Sequence, residues 1–486
     1  MTATDQESAT RSVRPWPALF SLCLGFFMIL LDTTIVNIAI PSMIEALRTG
    51  LEDIIWVNSI YLLTFAVPLL LTGRLGDRFG PKRIFLVGLV LFTGSSLACG
   101  IATSVEPLIV ARAVQGLGAA AMTPQSMAFI YHLFPPGRRG SAMGVWGAVA
   151  GLATVSGPLL GGVLVEGLGW EWIFFVNVPI GLLALVMVVR LVPDWRPRHS
   201  HRFDPLGITL FCVGLGAAVF GLQEGERFDW GVVAGPVTIV GLLVGGLVLL
   251  VAFVVWQRFN RVEPLLPLEL YGHRNYALST VATAALGFAL IGTVLPLMLY
   301  LQTVRGYTAL QAGLISASMA FASGATSATV GRIAERVDGR RLAASGLLGY
   351  SAGLALLAWA MIPDAPLWKL VAPLVIGGVG MGAVFAPLAT LGTLGLPPPL
   401  VGAGSGLFNT FRQVGSVIGS AAVGVFLQWR IAVELPAGGA PGQPGFASGF
   451  TAATRLSLVL PAAVLLIGVA ACLSMRRPPR HLPPNT

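Results

Sequence analysis

Charged residues are scarce in this chain. Asp, Glu, Lys and Arg make up 10% of its 486 residues, whereas a water-soluble domain carries about 25%. Hydrophobic residues reach 55%, so a soluble fold of this composition would have too little polar surface to face water. This excludes an ordinary water-soluble protein and indicates a chain whose solvent is the lipid bilayer.

Cysteine and histidine are also rare, and neither forms a pattern that carries chemistry. The four cysteines lie in apolar stretches without disulfide or zinc-site spacing: Cys23, Cys99, Cys212 and Cys472. The five histidines lie at or near predicted loops, and no nucleophile–base pair accompanies them. The glycine-rich stretch 377–382 lacks the Lys-Ser/Thr that follows in a nucleotide-binding loop. The sequence therefore predicts no enzyme, no metal site and no cofactor.

Long apolar runs account for most of the chain. A membrane-spanning helix needs about 20 apolar residues, and fourteen such runs follow one another. They are 17–40, 54–73, 84–103, 107–131, 141–164, 172–191, 205–223, 232–256, 276–301, 311–330, 342–362, 368–393, 403–428 and 453–475. We therefore predict an all-α integral membrane protein with fourteen transmembrane helices.

Basic residues give the chain a net charge of +9, and they gather in alternate loops. Of the 30 Lys and Arg residues, 22 fall in loops on one side, six fall on the other, and Arg112 and Arg412 lie within helices. The positive-inside rule places both termini in the cytoplasm, as an even number of helices requires. The basic charge thus predicts topology and no nucleic-acid partner. Arginine greatly outnumbers lysine, which favours a GC-rich bacterium and its cytoplasmic membrane.

Two segments of the chain repeat. Gly73–Arg83, between helices 2 and 3, matches Gly331–Arg341, between helices 10 and 11; Gly116–Pro124 echoes Gly378–Pro387 with one extra residue. The repeats predict two six-helix halves with an inserted helix pair, and a site between the halves. The predicted parts are a cytoplasmic N-tail (1–14), a first half (15–192), a linker with helices 7 and 8 (193–257), a second half (258–475) and a cytoplasmic C-tail (476–486).

Six motifs stand in order along this topology. They are Leu31–Pro41, Gly73–Arg83 (with Gly73, Asp77, Arg78, Gly80 and Arg83 at the signature positions), Arg112–Gly118, Gly157–Gly162, Trp170–Pro179 and Asn409–Gly415. Together they resemble the major facilitator superfamily, in its fourteen-helix drug–proton antiporter branch. The resemblance implies alternating-access export of small compounds driven by the proton-motive force. It also implies that Asp32 and Arg112, at positions implicated in proton or cation handling in relatives, serve proton coupling.

Asp32 and Arg112 are charged residues inside predicted helices. Asp32 lies nine residues before Pro41, and Arg112 lies five residues after Pro107. At 1.5 Å per residue the two lie about 13 Å and about 7 Å from the outer end, in a similar layer. A buried acid must be paired or protonated, and alternation between these states would couple proton flow to conformation. A static ion pair between helices 1 and 4 is the alternative.

Three further polar residues are candidates for the substrate cavity. Gln115 shares a helical face with Arg112, and Asn37 follows Asp32 by five residues; either could instead make an interhelical hydrogen bond. Arg412 lies about 13 Å into helix 13, with no acid on the facing second-half helices. Its expected partner is a backbone carbonyl or an anionic group of the substrate, and a structural role is the alternative.

The fifth helix carries small residues at regular spacing. Gly147 and Gly151, then Gly157 and Gly161, repeat every four residues, which lets another helix approach closely. Pro158 is expected to bend this helix. We predict that helices 5 and 10 pack across the two halves and move there, with tight packing without motion as the alternative.

Two cytoplasmic acids are candidate latches. Asp77 and Glu335 follow helices 2 and 10, and a helix N-terminus stabilises an acid. The stretch Leu396–Gly404 has no Lys or Arg, so the start of helix 13 is predicted to receive Asp77, and the start of helix 5 to receive Glu335. Such latches would favour the state closed to the cytoplasm. Alternatively, Asp77 only offsets the charge of its cationic loop.

The sequence thus predicts a proton-coupled exporter of small amphipathic or apolar compounds, including drugs or antibiotics. A dedicated metabolite exporter and a proton symporter of the same superfamily are the alternatives. The expected partners are small molecules, protons and lipid, and the expected oligomeric state is a monomer.

Overall fold

Helices make up almost all of the computed structural model, which describes residues 15–194, 204–225, 227–260, 264–333, 337–393, 396–435 and 443–476. The chain divides into two units, Met1–Ile208 and Thr209–Thr486. Each unit is built from long helices that touch at small residues, as expected where lipid replaces water and close packing must hold helices together.

The first unit contains eight helices in its described part, and a ninth lies across the boundary. They are α1 (Pro15–Leu47), α2 (Leu51–Ala66), α3 (Leu69–Phe79), α4 (Pro81–Gly100), α5 (Val105–Leu133), α6 (Pro136–Gly167), α7 (Trp172–Phe175), α8 (Asn177–Leu191) and α9 (Pro205–Gln223).

The second unit begins with a short hairpin and continues with helices. Its elements are β1 (Val232–Ala234), β2 (Val237–Thr238), α10 (Ile239–Phe259), α11 (Glu269–Gly272), α12 (Arg274–Leu299), a π-helical turn (Tyr300–Val304), α13 (Ala309–Ile333), α14 (Gly339–Ala360), α15 (Leu367–Gly382), α16 (Phe385–Thr393), α17 (Pro398–Glu434), α18 (Phe446–Ser457) and α19 (Val459–Leu473).

Thirteen of the fourteen predicted runs coincide, to within a few residues, with a helix or with a pair of consecutive helical segments, and the eighth does so from Ile239 onward. Within the described residues, eleven helices are long and apolar enough to cross a membrane, or twelve if the bent pair α2 and α3 is one span. Helices α6 and α13 are not among those counted; in α13, many Gly, Ala and Ser residues lower the mean hydropathy. An all-α, multi-pass membrane fold is confirmed, whereas the count of fourteen remains a prediction.

The predicted start of the eighth run, at residue 232, is wrong. Residues 232–238 form the β1–β2 hairpin, which turns at Gly235 with a φ of 54° and at Pro236. Helix α10 begins at Ile239, where the side chain of Thr238 caps it by accepting a hydrogen bond from the Gly241 amide at 3.0 Å. The turn residues, rather than hydropathy, set this boundary.

The two repeated loops begin their next helices differently. In the first, Gly80 adopts a φ of 97°, and Pro81 opens α4 in the first-turn position that favours proline. In the second, the aligned residue is Asp338, whose side chain caps α14 by accepting from the Arg340 amide at 3.1 Å. Both repeated loops therefore begin a helix at the same aligned position, but one does so with a glycine and a proline and the other with an aspartate cap.

Candidate functional site

A fully buried ion pair lies at the centre of the first unit. Helix α1 carries Asp32 and α5 carries Arg112, and both side chains have 0% exposure. The Arg112 Nη1 group donates to Asp32 Oδ2 at 2.5 Å. A buried charge needs a partner, because removing an ion from water costs several kcal/mol of free energy. A well-placed ion pair gives a favourable interaction of the same order. The structure therefore brings together the two residues that sequence depth placed in one layer.

Gln115 closes this pair into a ring of three side chains. Its Oε1 accepts from Arg112 Nη1 at 2.7 Å, and its Nε2 donates to Asp32 Oδ1 at 2.9 Å. Gln115 lies one helical turn after Arg112 on α5, so both reach the same carboxylate. Both oxygens of Asp32 are hydrogen-bonded in this arrangement.

Ser96 and Asn177 complete the network, and sequence reasoning assigned neither of them a role. Asn177 Nδ2 donates to Ser96 Oγ at 3.1 Å and to Asp32 Oδ1 at 3.4 Å. Ser96 Oγ also accepts from Gln115 Nε2 at 3.2 Å and donates to the Phe174 carbonyl at 3.0 Å. Asn177 could have been found from its place in the Trp170–Pro179 motif. Ser96 lies in an apolar run, where a single serine gives no indication of a functional role.

The guanidinium of Arg112 is held from further sides. Its Nε donates to the Val57 carbonyl of α2 at 3.1 Å. Its central carbon lies 4.0 Å from the Tyr61 ring centroid and 5.7 Å from that of Phe174, within cation–π range. Tyr61 is itself anchored by its hydroxyl, which donates to the Ile29 carbonyl at 3.3 Å. Among the described residues, Nη2 of Arg112 has no hydrogen-bond partner.

This arrangement can exchange between two protonation states. With Asp32 ionised, five helices converge on one carboxylate–guanidinium pair, because α1, α2, α4, α5 and α8 each contribute a group. Protonation would remove the negative charge that holds Arg112. The unmatched Nη2 could then take another acceptor. A proton on one atom would thus change the bonding of several helices at once.

Asn37 does not belong to this network. Its side chain is buried, and its Nδ2 donates to the Thr33 carbonyl of the same helix at 3.1 Å. Its Oδ1, like that of Asn58 on α2, lacks a hydrogen-bond partner in the described part of the chain. A cavity role for Asn37 stays a prediction.

The signature-loop residues run from one helix into the next. The structure places Gly73, Asp77 and Arg78 on α3, Gly80 between the helices, and Arg83 on α4. The neighbouring Lys82 donates its Nζ to the carbonyls of Val189 and Val192 at 2.9 Å and 2.6 Å, which ties α4 to the carboxyl end of α8.

The predicted latches remain untested by this geometry. Asp77 was expected to follow its helix, but α3 continues to Phe79, so Asp77 lies within the last turn. Its contact with the start of α17 would join the two units and stays a prediction. Glu335 lies outside the described residues.

Two helix-5 motif glycines pack against a neighbour that the sequence did not identify. A Cβ at Gly157 would collide with Thr34 of α1, and one at Gly161 would lie 2.9 Å from Ile35 of α1. Four-residue spacing indicated close packing, but it did not specify which helix approaches. The pairing of this helix with helix 10 across the halves stays a prediction. Gly147, Gly151 and Pro158 lie on the same helix, α6.

Arg412 lies on α17 in the second unit. Its Nε is buried without a hydrogen-bond partner, and no ion pair to it is found among the described residues. No group of three or more metal-ligating side chains is found in the part of the chain that the structure describes.

Long membrane-spanning helices around a buried charged network define a membrane transporter. Residues 22–420 match the Major Facilitator Superfamily, and the chain belongs to that superfamily. It is a multi-pass transporter of small molecules and not an enzyme.

Several curated relatives align along most of their length. An uncharacterized MFS-type transporter of Mycobacterium tuberculosis is 43% identical over 472 residues, covering 94% of this chain and 80% of that protein. The tetracenomycin C resistance and export protein of Streptomyces glaucescens is 33% identical, covering 87% and 78%. The multidrug resistance protein Stp of Mycobacterium tuberculosis is 34% identical, covering 86% and 77%.

Solved structures share the fold. The crystal structure of a bacterial homolog of the human lysosomal transporter Spinster, inward-facing and unoccupied, matches with a TM-score of 0.64. The match covers 95% of this chain and 96% of that one at 17% identity, so it is a likeness of fold alone.

Proposed function

We propose that this protein is a proton-coupled exporter of small amphipathic or apolar compounds, including drugs or antibiotics, in the fourteen-helix drug–proton antiporter branch of its superfamily. The single observation that carries the proposal is the fully buried Asp32–Arg112 pair. A membrane interior holds ionisable groups at high energetic cost, and such groups mark proton and ion pathways.

In the proposed cycle, Asp32 exchanges a proton on each turnover. Ionised Asp32 holds Arg112 and Gln115, and through Gln115 it is linked to Ser96 and Asn177. A proton arriving from outside neutralises the carboxylate and releases Arg112. The helices that meet at this point then rearrange, and the proton leaves to the cytoplasm as the next compound binds. Proton transfer is coupled to the conformational change because the same network binds the proton and joins the helices that move.

The remaining predicted residues act in the same cycle. We assign Asn37, Gln115 and Arg412 to the substrate path, Gly73, Asp77, Arg78, Gly80, Arg83 and Glu335 to the cytoplasmic latch, and Gly147, Gly151, Gly157, Pro158 and Gly161 to the sliding helix contact. The proposed protein is a monomer in the bacterial cytoplasmic membrane, with fourteen spans in two six-helix halves and an inserted pair, and with both termini in the cytoplasm.

The names of the relatives support export as the direction of transport. One is named for resistance and export of a single antibiotic and another for multidrug resistance. The first favours an alternative, a dedicated exporter of one metabolite, which would use the same buried pair. A proton symporter is the other alternative, since an ion pair of this kind could couple import equally well.

The proposal can be tested in inside-out membrane vesicles that are energised to an acidic interior. A ΔpH-sensitive dye reports proton release when a compound from a broad drug panel is added. We expect release in the wild type and its loss in Asp32→Asn, which keeps the shape of the side chain but removes its charge.

Glu45→Gln is the matched control, because Glu45 is an exposed acid on the same helix α1. Release that survives Asp32→Asn would move the proton site elsewhere. No response to the whole panel would contradict multidrug export and leave the dedicated exporter or the symporter.

A further inference from the structure

Helices α12 and α17 of the second unit touch at the backbone of Arg412. Gly287 of α12 faces the Arg412 carbonyl so closely that a Cβ at Gly287 would collide with it. Ser416, one turn along α17, donates its hydroxyl to the carbonyls of Gly287 at 3.2 Å and Arg412 at 3.0 Å. The backbone from which the Arg412 side chain projects is therefore fixed by two helices.

One nitrogen of the Arg412 guanidinium is buried without a protein partner among the described residues. This nitrogen is Nε, and no ion pair of Arg412 with a carboxylate is found in the part of the chain that the structure describes. An arginine side chain stays protonated in proteins, so it carries its charge wherever it lies. A charge held inside a membrane helix without a counterion is costly, which indicates that a partner is supplied from outside the chain.

Two further buried hydroxyls without partners lie on segments that contact this part of α17. Thr283 Oγ1 is buried and unmatched; Thr283 lies one turn before Gly287 on α12. The Tyr271 hydroxyl is also unmatched, and its ring centroid lies 6.2 Å from that of Phe411, the residue before Arg412. Buried polar groups are normally satisfied, so unmatched donors on these neighbouring segments point to a missing acceptor.

We propose that Arg412 binds the anionic group, a carboxylate, of an amphipathic aromatic substrate, with Thr283 and Tyr271 as additional hydroxyl donors. This rests on the proposed function and names the substrate class of that transporter. A carboxylate offers two oxygens to the planar fork of a guanidinium and can accept more bonds from hydroxyls. The rings of Tyr271 and Phe411 supply an apolar surface for the body of the substrate.

The test uses purified protein in liposomes of neutral phosphatidylcholine. The probes are matched acid and amide pairs that share one ring system, beginning with naphthalene-2-carboxylate and naphthalene-2-carboxamide. The wild type should bind the acids about ten- to a hundredfold more tightly than the amides, the range expected for hydrogen bonds to a charged group. Arg412→Gln should remove the preference, and Arg412→Lys should retain part of it.

Arg455→Gln is the matched control, because Arg455 is an exposed arginine of the same unit. Equal binding of acids and amides by the wild type, or binding of neither across the panel, would overturn the assignment, as would a preference that persists in Arg412→Gln. If Arg412→Gln does not fold, Thr283→Val decides: a lower acid-to-amide ratio supports the proposal, and an unchanged ratio contradicts it.

Two further measurements distinguish a substrate carboxylate from a lipid phosphate, and substrate binding from export. Adding phosphatidylglycerol to the liposomes should leave the preference unchanged; its loss would mean that a lipid phosphate neutralises Arg412 and would overturn the substrate assignment. Proton release driven by the amides, absent in Asp32→Asn, tests export by itself. A transporter that passes this second test while Arg412→Gln keeps its acid preference would retain the proposed function and lose only the carboxylate site.

Discussion

Two arginines within membrane helices show opposite environments in the two units. Arg112 donates to a carboxylate, an amide oxygen and a backbone carbonyl, and it stacks near two aromatic rings. The Nε of Arg412 is buried without a hydrogen-bond partner among the described residues. The first is matched by its own chain, as a residue that responds to a proton should be. The second is the residue that we propose binds the substrate.

The helices around these arginines are nevertheless packed alike. Gly157 of α6 meets Thr34 of α1, and Gly415 of α17 meets Ala284 of α12. Two residues before Thr34 lies Asp32, whereas two residues before Ala284 lies Ala282, a fully buried member of the apolar core. The packing scheme is therefore repeated, but the acid is present in one copy only. This difference supports the proposal that proton coupling takes place in the first unit.

The largest expected effect is a difference in the free energy of unfolding between variants of the two arginines. Arg112→Met leaves Asp32 buried without its counterion and should cost about 3–5 kcal/mol of folding free energy. Arg412→Met removes a guanidinium whose buried Nε has no partner among the described residues, so the change should stay within about 1 kcal/mol of wild type or stabilise the protein. Thermal unfolding of purified protein in a neutral detergent, without substrate, measures both.

Arg455→Met, at an exposed position of the second unit, controls for loss of any arginine. Equal destabilisation by Arg112→Met and Arg412→Met would mean that Arg412 has a structural partner, and it would remove the contrast between the units.

Counting residues along the helices predicted the Asp32–Arg112–Gln115 contacts of this site better than the residues that surround them. Depth from the outer end put Asp32 and Arg112 in one layer, and the three-residue step put Gln115 beside Arg112. Ser96 and Asn177 could not be found in this way, because they reach the carboxylate from α4 and α8. Their contact depends on how separate helices pack, which periodicity does not encode. For the same physical reason, the spacing of Gly157 and Gly161 predicted a close neighbour but not α1.

The second prediction compares the glycine contacts of the two units. A Cβ at Gly415 would collide with the backbone carbonyl of Ala284, whereas a Cβ at Gly157 would collide with the side-chain hydroxyl of Thr34. A backbone carbonyl can move away only if its whole helix moves, whereas a side chain can rotate. Gly415→Ala should therefore destabilise the protein more than Gly157→Ala, and both losses should fall within the range of about 1–3 kcal/mol for overpacking.

Thermal unfolding checks this order, and Gly157→Ala combined with Thr34→Ala should recover part of the loss at the first contact, because it removes the colliding hydroxyl but keeps the Thr34 Cβ at 2.8 Å. Failure of Thr34→Ala to rescue would place the strain in the helix backbone there as well and make the two contacts equivalent.

The smallest expected effect compares the two repeated loops. The hydrogen bond from Arg340 lowers the pKa of Asp338, the residue that caps α14. The same Arg340 side chain donates to the Met475 carbonyl at 2.6 Å and so ties the start of α14 to the segment after α19. Because the folded-state pKa is depressed, the stability that this acid contributes is present above its unfolded pKa and is lost as the pH falls through the folded value.

Asp338→Ala should therefore cost about 1 kcal/mol at pH 7, the usual value of a side-chain cap, and the difference from wild type should shrink below about pH 4, near the unfolded pKa of an aspartate. Asp338→Asn, which can still cap, should cost less and show little dependence on pH. In the first loop, Gly80→Ala should also destabilise the protein, because a φ of 97° strains any residue with a side chain. This loss should be the same at every pH.

Thermal unfolding from pH 3 to pH 7 distinguishes the pH-dependent cost of Asp338→Ala from the pH-independent cost of Gly80→Ala. A cost of Asp338→Ala that stays constant with pH would mean that the second loop, like the first, is held by backbone geometry and not by charge.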